Sequence, residues 1–160
     1  MALVWLAGAC KTELPTQVAL DAGISTPCST YADLLVAYNP EGSEGGSVEG
    51  EKALGPPDGQ GVPLTANAVL TVAFVGLGSI IDEPGNDLQV HGTFDAGAKL
   101  AVYVGFGDGD LVYSGPLGES NLIDFATGTA RTVSFVRIVG LQGTANIDAL
   151  ESLQTGCNGP

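Results

Sequence analysis

The sequence predicts an all-β domain, an antiparallel β-sandwich, on three observations. The apolar residues, 44% of the chain, are cut into short runs by 24 glycines and 9 prolines, residues that helices disfavour and that many-turned β-proteins need at their corners. No stretch of adequate length carries an apolar stripe at helical period. From Ala68 onward, strand-like runs recur at short intervals between turn residues, the pattern of a sandwich or barrel. A chain of 160 residues has room for one such domain with a real core.

The elements follow in order. Residues 32–38 (ADLLVAY) read as the first strand. Residues 39–50 (NPEGSEGGSVEG) are too polar and glycine-rich for regular structure. The next segment, GEKALGPPDGQG, packs prolines, glycines and an aspartate into a shaped loop. Strands then follow at 69–74, 79–81, 88–92, 99–105, 110–115, 121–125, 133–139 and 147–153. Between them lie the turns EPGN, GDGD, GPLGES, ATGTA and LQGTA. Several strands are apolar on both faces, as expected of a sheet covered on both sides or paired with another module. Alternation puts Phe74, Phe135 and Tyr103 in or near the core. The chain carries no internal repeat.

Charge narrows the partners. With 18 acidic against 5 basic residues and a formal charge of -13, the chain repels the phosphates that a nucleic-acid binder must neutralise. Anionic membrane surfaces are disfavoured in the same way. Divalent cations are natural partners of such a surface, although the acidity also serves solubility alone.

The opening run MALVWLAGAC is apolar and ends in small residues before Cys10. It resembles the tail of a bacterial lipoprotein signal, and it is too short to span a bilayer. The resemblance implies lipidation at Cys10, loss of Trp5 on processing, and a polar tether over 11–27 leading to a domain over 28–160. The expected address is extracytoplasmic: the bacterial cell surface, an outer-membrane lipoprotein, or a secreted form. Cys28 and Cys157 then remain as an even pair, which an oxidising compartment joins as a disulfide. Closing so long a loop stabilises by about 4–5 kcal/mol in the chain-entropy model.

Five segments go beyond class: ADLLVAYNPEG, EKALGPPDGQG, GSIIDEPGNDLQVHG, KLAVYVGFGDGDLVY and SFVRIVGLQGTANIDALESL. In that order, over residues 32–153, they resemble a bacterial cell-surface module with a discoidin-like or galactose-binding-like jelly-roll fold. Here His91-Gly92 replaces the acidic residue that follows "DLxV" in that module. Asn146 replaces the first aspartate of its closing "FDLDAVE", with Asp148 and Glu151 matching the later acidic positions. The resemblance implies a structural calcium where the early loop meets the last strand.

Asp58, Asn146, Asp148 and Glu151 are the residues for that role, because calcium takes six to eight oxygens from carboxylates, amides and carbonyls. Strict strand alternation sends Asn146 and Asp148 to one face and Glu151 to the other, so Glu151 needs a bulge or a backbone-mediated role to join them. The competing reading is that Asp58 caps a turn and Asp148 accepts a buried hydrogen bond from backbone N–H groups. A second acidic group, Asp82, Glu83, Asn86 and Asp87, falls in one tight turn that could bind a cation, but a solvated Pro-Gly turn accounts for it more simply. GDGD at 107–110 reads as a hairpin turn.

His91, the one histidine, has no catalytic constellation around it in the sequence, and no P-loop, HExxH or GxSxG motif occurs. The expectation is therefore a non-catalytic structural or adhesive module, calcium-stabilised, whose partner is a cell-surface or extracellular-matrix component. The alternative is a carbohydrate-binding module with a shallow site rimmed by Phe94, Phe106 and Tyr113, since sugar rings stack on aromatic platforms.

Overall fold

β-branched and aromatic residues concentrate in runs a few residues long, and Gly, Pro and Asx pairs interrupt them, so short strands are the local outcome. The computed structural model describes residues 29–41, 48–75, 79–106, 110–117, 121–125 and 131–155. These form β1 (Leu34–Asn39), β2 (Val62–Leu64), β3 (Val69–Ala73), β4 (Ile80–Ile81), β5 (Leu88–Phe94) and β6 (Lys99–Gly105). They continue with β7 (Leu111–Leu117), β8 (Leu122–Ile123), β9 (Thr132–Val133), β10 (Phe135–Gln142) and β11 (Ala145–Ser152). Cys10, Cys28, Cys157 and the expected tether lie outside the described residues. No helix among the described residues is long and apolar enough to cross a membrane.

The fold is all-β with antiparallel pairing. A five-stranded sheet runs β1-β3-β10-β6-β7, a four-stranded sheet runs β2-β11-β5-β8, and β4 pairs with β9. One cluster of buried side chains draws on both larger sheets, with Leu70, Val72, Val102, Val104 and Ile138 from the first and Leu64, Leu88, Val90, Ile147 and Leu150 from the second. Each such side chain contributes about 1.5–3 kcal/mol on burial. Tyr38 on β1 is fully buried, and its hydroxyl donates to the Pro63 carbonyl on β2 at 2.8 Å. That bond ties the two sheets together within the core.

Three departures from the sequence expectation have physical causes. Residues 48–53, partly inside the stretch expected to be irregular, wind into a short 3-10 helix; Ala53 is buried, and Gly50 lies against the Tyr38 Cβ and the Leu35 side chain. β2 forms where no strand was expected; it carries Pro63 at its centre, which is tolerated because β2 is an edge strand. The expected strand at 133–139 splits in two. β9 leaves to pair with β4, while Ser134 donates to Gly105 and accepts from Phe74.

Candidate functional site

The early turn and the last strand meet. On β11, Asn146, Asp148 and Glu151 point outward, while Ala145, Ile147, Ala149, Leu150 and Ser152 are buried. Strict alternation would turn Glu151 inward, but Ile147 pairs with Gly92 and Ala149 with His91, leaving Asp148 as an extra residue. This bulge shifts the phase and brings Glu151 onto the face that holds Asn146 and Asp148. Gly92 is needed there, because a Cβ on it would collide with the Asn146 carbonyl.

The Asp148 carboxylate accepts from the backbone N–H groups of Asp58 at 3.2 Å and Gly59 at 3.0 Å. Asp58 in turn accepts from the Gln60 backbone N–H at 2.8 Å and from its Nε2 at 3.2 Å. Both carboxylates thus fasten the proline-glycine turn, with the partners the competing reading names but at the surface rather than buried. Glu151 turns to His91, with Nε2 and Oε2 2.8 Å apart. The Tyr31 ring stands 6.2 Å from the imidazole. Burial, and then the neighbouring Glu151 charge, push the Tyr31 phenol above its ordinary range. A shallow groove of about 270 Å³ lies beside this group, lined by Pro57, Gly59, His91, Thr93, Asn146 and Asp148.

In the second acidic group the Pro-Gly turn is solvated from Glu83 to Asn86, as expected, but the two aspartates that flank it are not. Asp82 and Asp87 are buried, and with exposed Asp124 each places one carboxylate oxygen within 4.8 Å of the others. Asp87 accepts from the Glu83 N–H at 3.1 Å and the Phe125 N–H at 2.8 Å, holding the start of β5 to the end of the β8 segment. Burial pushes its carboxyl above the usual aspartate range; those two bonds oppose the shift, and Asp82 and Asp124 add to it. Three hard oxygen donors converging in this way suit a divalent cation.

The three aromatics expected to form one rim are dispersed. Phe94 lines a pocket of about 510 Å³ together with Leu100 and Leu117, at the beginning of β6. Phe106 follows the end of β6, is only 4% exposed, and lies beneath the Arg131 guanidinium, 3.7 Å from its ring centroid. Tyr113 is open, 55% exposed, and packs against Tyr103 with centroids 5.4 Å apart.

Tyr113 belongs to a surface that the sequence reading missed. Across the outward side of the five-stranded sheet, Ala37, Thr71, Arg137, Tyr103 and Tyr113 stand opposite one another in one row. A neighbouring row runs Leu34, Ala73, Phe135, Gly105, Leu111. The row on the other side runs Asn39, Val69, Val139, Ala101, Pro116. Phe74 is buried as expected, but Phe135 and Tyr103 are partly exposed on this outer side, and the Phe135 ring lies over Gly105, where a Cβ would strike it. None of the three rows contains a carboxylate. Arg137 is their one charged residue, and its Nε donates to Thr71 Oγ1 at 3.1 Å. The signal was the apolar character of both sides of these strands; only the sheet order assembles them into one surface.

Comparison with family models, curated proteins and solved structures finds no match to this chain.

Proposed function

We propose that this chain is a non-catalytic, extracytoplasmic adhesive module that binds a cell-surface or extracellular-matrix component through the outer face of its five-stranded sheet. The observation that carries the reading is the composition of that face. In a chain with 18 acidic residues, three adjacent cross-strand rows hold none and are mostly apolar and aromatic, with Arg137 their one charged residue. An antiparallel sheet with one face in water ordinarily turns polar side chains outward, whereas a contiguous apolar face marks an interaction site.

In this reading the two larger sheets are the layers of a galactose-binding-like β-sandwich; the shared core cluster and the Tyr38–Pro63 bond support that packing. Export through the leader, anchoring at Cys10 and a Cys28–Cys157 disulfide complete the proposal. Calcium has a structural part, assigned to Asp82, Asp87 and Asp124, whose carboxylate oxygens converge within 4.8 Å of one another; among the described residues the carboxylates of Asp58, Asp148 and Glu151 form no such group.

Adsorption of the full chain to isolated cell-envelope and matrix fractions tests the adhesive reading. A Leu34→Lys, Tyr113→Asp double variant is expected to adsorb about tenfold more weakly, with its melting temperature nearly unchanged because both residues are more than half exposed. Equal adsorption by the two proteins, or none by wild type, would refute it. For the calcium part, millimolar calcium should raise the melting temperature of wild type and leave that of Asp124→Asn unmoved. An unshifted wild type excludes the ion.

A further inference from the structure

We infer that the outer face of the five-stranded sheet takes a carboxylated sugar, a uronate residue of an acidic polysaccharide, stacked on the Tyr103–Tyr113 pair with its carboxylate on Arg137. The inference rests on the adhesive reading above and names the partner's chemistry.

Arg137 decides the charge. It is partly buried in the central row, between Thr71 and Tyr103. Thr71 takes its Nε proton, and among the described residues it makes no salt bridge. A guanidinium offers five donors in a rigid fork matched to a carboxylate. If a purely apolar partner covered this face, the cation would lose water and gain nothing, at a cost of several kcal/mol. A second copy of the chain, laid face to face about a two-fold axis, would offer Arg137 only the same carboxylate-free rows while drawing together two chains of formal charge -13. The occupant must bring its own negative charge.

The relief of the face decides the shape. Within the three rows the most exposed large side chains, Leu34 at 51% and Tyr113 at 55%, stand on the opposite edge strands β1 and β7, and the β1 bulge residue Val36 adds to the first edge at 56%. Between them Ala73, Phe135, Arg137 and Tyr103 are only partly exposed, so these rows are nearly flush at their middle, and Leu141, 55% exposed, stands beyond them on β10. Protein partners anchor through side chains set into desolvated pockets; a flush row suits a flat ring lying across it. The tilted tyrosine pair supplies the apolar platform for the ring, and Arg137, next in the row, supplies the fork. The net negative charge opposes any polyanion at long range, so contact is favoured at physiological ionic strength, where the Debye length is about 8 Å.

The test measures binding of a polyuronate, its methyl ester and a neutral glucan of the same linkage to the full chain. EDTA is present throughout, so that calcium cannot bridge acidic polymer to acidic protein. Wild type should bind the polyuronate at least about tenfold more tightly than the ester, the worth of one charge-assisted pair. Arg137→Gln should erase that difference, and Tyr113→Ala should weaken all binding by about two- to tenfold without moving the melting temperature. Equal affinity for the three polymers, or polyuronate binding untouched by Arg137→Gln, overturns the carboxylate assignment and leaves the adhesive reading standing. Binding to an envelope or matrix protein with none to any glycan overturns the sugar. Absence of binding to every polymer, envelope and matrix fraction overturns both readings together.

Discussion

On the four-stranded sheet, the outward residues of β5 and β11 are Gln89, His91 and Thr93 set beside Glu151, Asp148 and Asn146. On the five-stranded sheet the corresponding residues of β10 and β6 are Phe135, Arg137 and Val139 opposite Gly105, Tyr103 and Ala101. Both sheets contribute to one cluster of buried side chains and pair their strands antiparallel. Their outer faces obey different rules. The first answers its own polar groups: Asp148 holds the early turn and Glu151 holds His91. The second leaves an apolar, aromatic surface with one cation in its centre. Polar residues that bond one another stabilise the fold, whereas apolar residues left half in water contribute little until a partner covers them. Substitutions on the first face should therefore cost stability, and on the second, binding.

The largest effect is expected at Gly92. Alanine there would collide with the Asn146 carbonyl, force β5 from β11 at the bulge, and destabilise by about 1–3 kcal/mol or more, read as a fall in denaturation midpoint. Asp148→Ala should cost about 1–2 kcal/mol, since the Asp58 and Gly59 N–H groups lose their acceptor but remain near solvent. Neither change should alter polymer binding, and a loss of binding in both would break the division of labour between the faces.

The buried Asp87 adds a pH dependence of determinate sign. Its carboxyl is raised, so the folded chain holds that proton more tightly than the unfolded one. Its contribution is present at acid pH and is lost as pH rises from the ordinary aspartate range through the raised value. Melting temperature against pH, without divalent cations, should show this decline in wild type, and Asp87→Asn should flatten it whatever that variant's absolute stability. A slope unchanged by the substitution contradicts the assignment. The smallest stability effect is expected at Tyr113→Ser, within about 0.5 kcal/mol by denaturant titration.

Much of the fold was legible because strand signals are local. The KLAVYVG run forms β6 over Lys99–Gly105 as expected, and the stretch from Val69 becomes β3. The meeting of Asp58 with Asp148, far apart in sequence, was accessible only through the order of motifs, and it appears as backbone bonds to a carboxylate. Asp124 could not be grouped with Asp82 and Asp87 in advance, since the pairing of β8 with the start of β5 brings it there. Arg137 was hidden for a similar reason: within VSFVRIV it looks like one polar interruption, and its row exists only once β3, β10, β6 and β7 are ordered. Phe106, expected at a rim, is buried because the Arg131 guanidinium closes over its ring, a contact between residues far apart in sequence.

The most direct measurement follows side-chain and backbone NMR shifts of the full chain as the polyuronate is added in EDTA. Perturbations confined to Tyr103, Tyr113, Arg137 and their row neighbours, with Gln89, His91 and Asn146 unmoved, are the predicted result. Shifts centred on His91 and the groove beside Asp148, with the tyrosine pair silent, would show that the wrong sheet had been assigned the partner.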